Sequence, residues 1–210
     1  MEGTDPVNKK LAAALSGGAV LVVAVSGCSS SGGEKGPDPK LVSWAKTVCD
    51  AVPGPNAKIR SANAQIAAIA TDSNLPPKNA QKTYADAFQD MADGYKALAD
   101  ALDTAGAPPG VDGGAKLQKD AAKNLAGLAT SYADLKKKVD GLDTKDQGKF
   151  ARGLKEVAAQ SKEIGKQSDS GTQALKRLEQ EDVKKAMAKQ PSCKVAASAS
   201  ASAPAPATSG

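Results

Sequence analysis

The stretch YADAFQDMADGYKALADALDTA, residues 84–105, decides how the chain folds. Its larger apolar side chains recur in alternating steps of four and three residues, at Tyr84, Phe88, Met91, Tyr95, Leu98, Leu102 and Ala105. This 3.5-residue repeat is typical of a helix that packs along one side against other helices. The stretch therefore predicts a long amphipathic helix. Tyr84, Phe88, Met91 and Tyr95 form an aromatic stripe on this helix. We interpret the stripe as part of the hydrophobic core, with a groove for a hydrophobic ligand as the alternative.

Two later segments carry the same repeat and predict two further long helices. In the first, the repeat runs through Leu117, Ala121, Leu125, Leu128, Tyr132, Leu135, Val139 and Leu142. In the second, it runs through Phe150, Leu154, Val157, Ser161, Ile164, Ser168, Gly171, Leu175 and Leu178. Thr144, with Gln147 three residues later, is a capping-box pattern that predicts the start of the second helix. That helix is expected to continue to about Lys189, with a break near residues 168–172.

Residues 39–71 predict the first helix of the domain. Asp38 is placed to cap it, and Pro39 suits the first helical position. Pro53-Gly54-Pro55 predicts a kink, so the segment is either one kinked helix or two short ones. The connections between the helices are short, which requires antiparallel neighbours. We expect residues 39–194 to form an all-α, antiparallel up-down four-helix bundle with coiled-coil-like heptad packing.

The composition argues against the commonest kinds of active site. The 210 residues include no histidine, which is the most frequent general base and metal ligand. Glu156 and Glu163 are interpreted as solvated partners of nearby lysines rather than as metal ligands. We therefore expect no enzymatic activity, no catalytic residues, no metal and no cofactor.

The basic charge is carried almost entirely by lysine. The net charge is +5, and the only arginines are Arg60, Arg152 and Arg177. Few side chains can therefore bind a phosphate group through two parallel hydrogen bonds. This pattern favours a solubilising surface and argues against nucleic acid as a partner. Attraction of the basic last two helices to anionic lipid head groups or wall polymers is the alternative.

The N-terminal residues 1–27 read as a signal peptide. Lys9 and Lys10 form its basic part, and residues 11–25 form an apolar run that is short for a membrane span. Residues 28–38 are rich in serine and glycine and predict a flexible tether. Residues 195–210 are nearly all alanine, serine and proline, which predicts a disordered tail that is inert or, as the alternative, wall-spanning or O-glycosylated. Translation could start at Met1 or at Val7.

The tetrapeptide Val25-Ser26-Gly27-Cys28 resembles the lipobox of bacterial lipoprotein precursors. The resemblance implies cleavage before Cys28 and a diacylglyceryl anchor on its sulfur, which would hold the protein on the outer face of the cytoplasmic membrane. The helical body, the near-terminal Cys193 and the tail are similar to small secreted lipoproteins of high-GC Gram-positive bacteria. That resemblance implies no substrate and no site residues.

The two remaining cysteines predict a disulfide. An exported protein usually pairs its cysteines, and the up-down order of the helices places Cys49 and Cys193 at the same end of the bundle. A metal or redox pair is the alternative, but the spacing of these cysteines does not match such a site.

Small residues on the last helix mark a candidate pocket. Ser161, Ser168 and Gly171 stand where apolar residues are expected, which indicates either a polar ligand pocket or a close approach of helices. We expect a non-enzymatic interaction module that contacts an envelope protein or polymer. A carrier or sensor of a small apolar ligand is the alternative, and a cavity of several hundred Å³ would favour it. The oligomeric state is left open.

Overall fold

The computed structural model describes residues 36–72 and 74–194, without the side chains of 169–172, and this part of the chain is all-helical. It contains six α-helices of eight residues or more and no strand, which confirms the predicted all-α class. The helices are α1 Pro39–Ala51, α2 Pro53–Thr71, α3 Pro77–Ala105, α4 Gly114–Asp140, α5 Gln147–Leu178 and α6 Glu181–Ala188.

The first predicted helix is two helices that meet at a proline. Asp38 caps α1 as predicted, since its Oδ1 accepts a hydrogen bond of 2.7 Å from the backbone N–H of Lys40. The interruption lies at Val52, and Pro53 opens α2. Proline lacks an N–H and clashes with the preceding turn, but it is tolerated in the first turn of a new helix. Of the two alternatives, the sequence therefore forms two short helices.

Two predictions about the last long helix are wrong. Asp146, not Thr144, caps α5, and its Oδ1 accepts a 2.9 Å hydrogen bond from the N–H of Lys149. The predicted break near residues 168–172 is absent, because serine and glycine lower helix propensity without removing a backbone hydrogen bond. The chain instead leaves the helix at Glu179 and Gln180, and α6 follows.

The four longest helices, α2 to α5, follow one another in the chain and pack as neighbours. α3 packs against α2 on one side and α4 on the other, and α5 packs against α4. α1 contacts α2, α3 and α6. Close backbone contact between α2 and α5, which a closed four-helix ring would have, is not among the principal contacts of the described residues. Packed helices are thus established, at a coarser level than the predicted antiparallel bundle.

The helices share one hydrophobic core, built largely from the predicted heptad positions. The aromatic seam of α3 is included, since Phe88, Met91 and Tyr95 are each 3% exposed. Gly94 lets α2 approach α3 closely. A Cβ there would lie 2.6 Å from Cγ1 of Ile59 and 3.2 Å from the carbonyl oxygen of Pro55. Side-chain size at single positions therefore sets the distance between helices.

Candidate functional site

The predicted lipidation site lies outside the described residues. Cys28, the signal peptide at 1–27, all of the tether before residue 36 and the tail at 195–210 belong to this group. None of the described helices is long and apolar enough to cross a membrane. The lipid anchor on Cys28 therefore stays a prediction.

The predicted disulfide between Cys49 and Cys193 is present, with a Cα–Cα distance of 5.0 Å. It joins α1 to the segment that follows α6, and Cys49 is fully buried. Two hydrogen bonds flank it. Ser192 Oγ donates to Asp50 Oδ1 at 2.6 Å, and Gln190 Nε2 donates to the carbonyl oxygen of Val42 at 3.2 Å. The C-terminal end of the domain is thus fixed to its beginning by covalent and polar contacts.

Beside the disulfide, helices α1 to α4 meet the end of α5 and one side of α6 around a small apolar cavity. Its volume is about 50 Å³. Its walls include Trp44, Val48, Leu98, Leu125, Leu178 and Met187. Pockets that hold small organic ligands usually measure about 300 to 1,000 Å³. This cavity is large enough for water but far too small for a carrier's ligand.

Glu179 reaches this cavity from the linker between α5 and α6. Its Oε1 is buried and has no hydrogen-bond partner among the described residues. Burial raises the pKa of the Glu179 carboxyl, and the charges of Lys184 and Lys176 partly oppose that rise. A buried carboxyl oxygen without a partner destabilises the fold, since its lost hydration is not replaced. The sequence pattern gave no indication of this group.

A second concavity is a groove between α4 and α5, with a volume of about 740 Å³. The groove is open because Gly127 of α4 leaves space. A Cβ at that position would meet nothing within 4 Å. Leu117 and Leu128 supply its apolar lining, and Ala174 is its small residue from α5. This volume falls within the range of ligand sites.

The polar side chains of the groove include two exposed cations, Lys123 and Arg177. Neither makes an ion pair with another described residue. Among the described side chains, one carboxylate lines the groove, Asp120, and it is already bound by Lys116 at 2.6 Å. The described lining therefore carries an excess of positive charge. The other polar side chains described there are three amides, Asn124, Gln167 and Gln173.

The predicted pocket residues do not line either concavity where their side chains are described. Ser168 is buried and forms a hydrogen bond with Tyr95, so it belongs to the core. Ser161 is half-buried and lines neither the cavity nor the groove. Gly171 lies in the stretch 169–172, which is outside the described side chains. The predicted pocket at Ser161, Ser168 and Gly171 stays a prediction.

The aromatic residues of α3 stack with Tyr132 of α4. The Tyr95 and Tyr132 rings are parallel at a centroid distance of 5.5 Å, and Phe88 lies 6.3 Å from Tyr132. Burial raises the pKa of both tyrosines, and the Ser168 hydrogen bond opposes this effect at Tyr95. The predicted core role of this stripe is therefore confirmed for Phe88 and Tyr95.

Metal binding finds no support in the described part of the chain. No group of three or more cysteine and acidic side chains is arranged there to hold an ion. Glu156 pairs with Lys138 at 3.5 Å and Glu163 with Lys166 at 2.8 Å, so both glutamates have the lysine partners that the sequence predicted.

Comparison with protein-family models, with curated proteins and with solved structures finds no match to this chain.

Proposed function

We propose that this protein is a lipid-anchored lipoprotein of the cell envelope and that its helical domain is a non-enzymatic interaction module. The buried disulfide between Cys49 and Cys193 carries this proposal. Disulfides persist in exported proteins and are rare in reducing compartments. The disulfide thus supports, independently, the export that the Val25–Cys28 lipobox predicts. The anchor on Cys28 would then hold the domain on the outer face of the cytoplasmic membrane.

The position of α1 indicates how an anchored domain would sit. The tether leads directly into Pro39, and Cys49 lies ten residues later in the same helix. An anchored protein would therefore have its disulfide end closest to the membrane. Eleven residues can span at most about 40 Å even when fully extended, so an anchored domain would stay near the surface.

The size of the central cavity favours the interaction module over the apolar-ligand carrier. A volume of about 50 Å³ cannot enclose a small organic molecule without separating the helices around it. An internal carrier would also place its ligand against the unpartnered oxygen of Glu179, where an apolar molecule offers no hydrogen bond.

We also propose that α2, α3, α4 and α5 act as one up-down bundle. All of them contribute side chains to the single core, which supports this arrangement. Ile66 lies toward the C-terminal end of α2 and Leu154 toward the N-terminal end of α5, and both are partly buried. An up-down order would bring them to the same end of the bundle. Methyl–methyl nuclear Overhauser effects between Ile66 and Leu154 are expected, and their absence would favour an open row of helices.

The anchor is tested by mass spectrometry of the mature N-terminus and by detergent-phase partitioning in the native host. We expect a diacylglyceryl group on Cys28 and partitioning of the protein into the detergent phase. Cys28→Ser should abolish the diacylglyceryl mass while the helical circular dichroism spectrum is unchanged. An unmodified Cys28 in the native protein would refute the anchor.

A further inference from the structure

We propose that the groove between α4 and α5 binds a hydroxyl-rich anionic polymer of the envelope, of the polyol-phosphate class. The inference rests on the proposed function, because it assumes that the domain faces the envelope. The groove would give the interaction module a binding surface and a partner of defined chemical class.

The shape of the groove suits a chain rather than a compact molecule. It runs between two antiparallel helices, and Gln167 of α5 lies beside Ser131 of α4, whose Oγ donates to Gln167 Oε1 at 3.0 Å. From this contact the groove extends along α4 to Leu117 and along α5 to Arg177. The lining covers twelve residues of α4 and eleven of α5, or roughly 16 to 18 Å at 1.5 Å per residue, which is the length of several polymer units.

The charge of the groove indicates an anionic ligand. Lys123 and Arg177 lie on opposite walls, and the described carboxylates leave both without an ion-pair partner. The acidic helix α3 differs, because Asp86 and Asp100 are each paired with a lysine four residues earlier. Arginine offers a planar set of donors that matches phosphate oxygens, and lysine adds a point charge.

The amides of the groove indicate hydroxyl groups between the anions. Asn124 donates through Nδ2 to the carbonyl oxygen of Asp120 at 2.7 Å, which leaves its Oδ1 available to accept. Gln167 accepts from Ser131 through Oε1, so its Nε2 remains available to donate. Neutral donors and acceptors beside cations match a chain in which hydroxyl and phosphate groups alternate.

A lipid surface fits this geometry less well. Attraction to anionic membranes needs basic residues on a face that can lie against the plane of the head groups. Lys123 and Arg177 instead flank a concave groove with a leucine lining. The groove could enclose a single chain, whereas a flat membrane would contact only its rims.

The first test measures binding of a synthetic glycerol-phosphate hexamer to the mature chain in nonionic detergent, by calorimetric titration. Lys123→Gln with Arg177→Gln should weaken binding at least about tenfold, since two charge-assisted contacts are lost. The matched control is Lys119→Gln with Arg152→Gln, which removes the same two charges from the same two helices outside the groove. It should change affinity less than about twofold. Equal weakening by both pairs would overturn the groove site in favour of diffuse attraction.

The second test blocks the groove without changing its charge. Gly127→Leu places a side chain in the open space, and leucine is the better helix former, so the fold should be kept. We expect loss of hexamer binding with an unchanged circular dichroism spectrum. Gly165→Leu is the matched control, because a Cβ at Gly165 also meets nothing within 4 Å but lies outside the groove. Full binding by Gly127→Leu would refute the proposal.

Two competing probes separate the chemistry of the ligand. Neutral dextran carries hydroxyls without charge and polyglutamate carries charge without hydroxyls, and both should bind more weakly than the hexamer. Displacement of the hexamer by phosphatidylglycerol in the micelles would assign the groove to lipid head groups and overturn the proposal. Each titration works equally well with an unlipidated chain. Failure of the anchor and failure of the groove are therefore separate results.

Discussion

The two ends of the helical domain are held together in different ways. At the disulfide end, where α1 and α6 meet the end of α3, a covalent bond joins Cys49 to Cys193. At the turn end, residues 74–76 and 141–146 connect the long helices. There the side chain of Gln81 joins α3 to the end of α4 by hydrogen bonds. Its Nε2 donates to the carbonyl oxygens of Val139, Asp140 and Leu142 at 2.9, 3.1 and 2.9 Å.

The two ends also differ in their defects. The disulfide end contains the 50 Å³ cavity and the buried, unpartnered oxygen of Glu179, and both reduce stability. Fully buried side chains lie at both ends, Leu135 and Val139 at the turn end and Val183 and Cys49 at the disulfide end. The covalent bond thus lies at the end that contains the cavity and the unpartnered oxygen.

The largest effect is expected from removing the disulfide. Its cysteines are separated by 144 residues, and closing so long a loop stabilises a protein by about 4 to 5 kcal/mol in the chain-entropy model. Cys49→Ser with Cys193→Ser should lose about that much free energy of unfolding, measured by denaturant titration. Hydrogen exchange should accelerate first in α1 and α6, before the amides of α4 near Val139.

Reductant supplies the control for this prediction. It should destabilise the unmodified protein and leave the double-serine variant unchanged, because that variant has no bond to reduce. Equal unfolding free energies for the unmodified protein and the variant would show that packing alone holds the disulfide end.

The next largest change in stability is expected from alanine substitution of two glycines that lie inside helices. Gly94→Ala puts a Cβ 2.6 Å from Ile59, so α2 must shift, and a loss of about 1 to 3 kcal/mol is expected. Gly127→Ala adds a Cβ in open space and should gain up to about 1 kcal/mol from helix propensity. Thermal unfolding of both variants measures the contrast. Similar shifts of the same sign would contradict the assignment of α2–α3 as closely packed and α4–α5 as open.

Glu179 provides a pH-dependent test of the disulfide end. The pKa of the Glu179 carboxyl is raised in the folded protein. At low pH the carboxyl is protonated in both the folded and the unfolded protein, so its ionisation does not lower the free energy of unfolding. This destabilisation begins as pH rises through the unfolded pKa of about 4.5 and is complete above the folded pKa. Glu179→Leu should therefore gain about 1 to 3 kcal/mol at pH 7 by removing an unpartnered buried oxygen.

The isosteric variant separates charge from polarity. Glu179→Gln keeps a polar atom in the cavity and removes the titration, so it should gain less than Glu179→Leu. Its advantage over the unmodified protein should vanish below about pH 4, where the glutamate is protonated as well. A constant advantage at all pH values would mean that ionisation of Glu179 does not affect stability.

The sequence predicted those parts of the fold that depend on one segment at a time. Helix periodicity, the Asp38 cap and the core role of Phe88 need only local patterns. The pairing of Cys49 with Cys193 followed from export and antiparallel order. The start of α5 was misjudged because Thr144 and Asp146 are both good capping residues, and only the backbone path decides between them.

The candidate groove could not be predicted because it depends on two helices at once. Gly127 and Ala174 are ordinary residues in their own heptads, and their small size matters only where α4 and α5 face each other. Lys123 and Arg177 are likewise unremarkable as single charges. That neither cation is paired with a described carboxylate can be recognised only once the neighbouring helix is in place.

The smallest effect is expected at the turn end. Gln81→Ala removes a donor shared by three carbonyl oxygens and should cost about 1 kcal/mol, because these carbonyls remain partly accessible to water. Gln89→Ala is the matched control on the same helix. Its bond to Asp93 is exposed and local, so its loss should be close to zero.

Combining Gln81→Ala with the double-serine variant tests whether the two ends are independent. Distant sites without shared partners usually contribute additively, within about 0.5 kcal/mol. An additive loss would mean that each end is stabilised by its own contacts, covalent at one and hydrogen-bonded at the other. A combined loss much larger than the sum would show that weakening one end loosens the helices along their whole length. The disulfide would then stabilise the packing around Gln81 as well as the cavity beside Glu179.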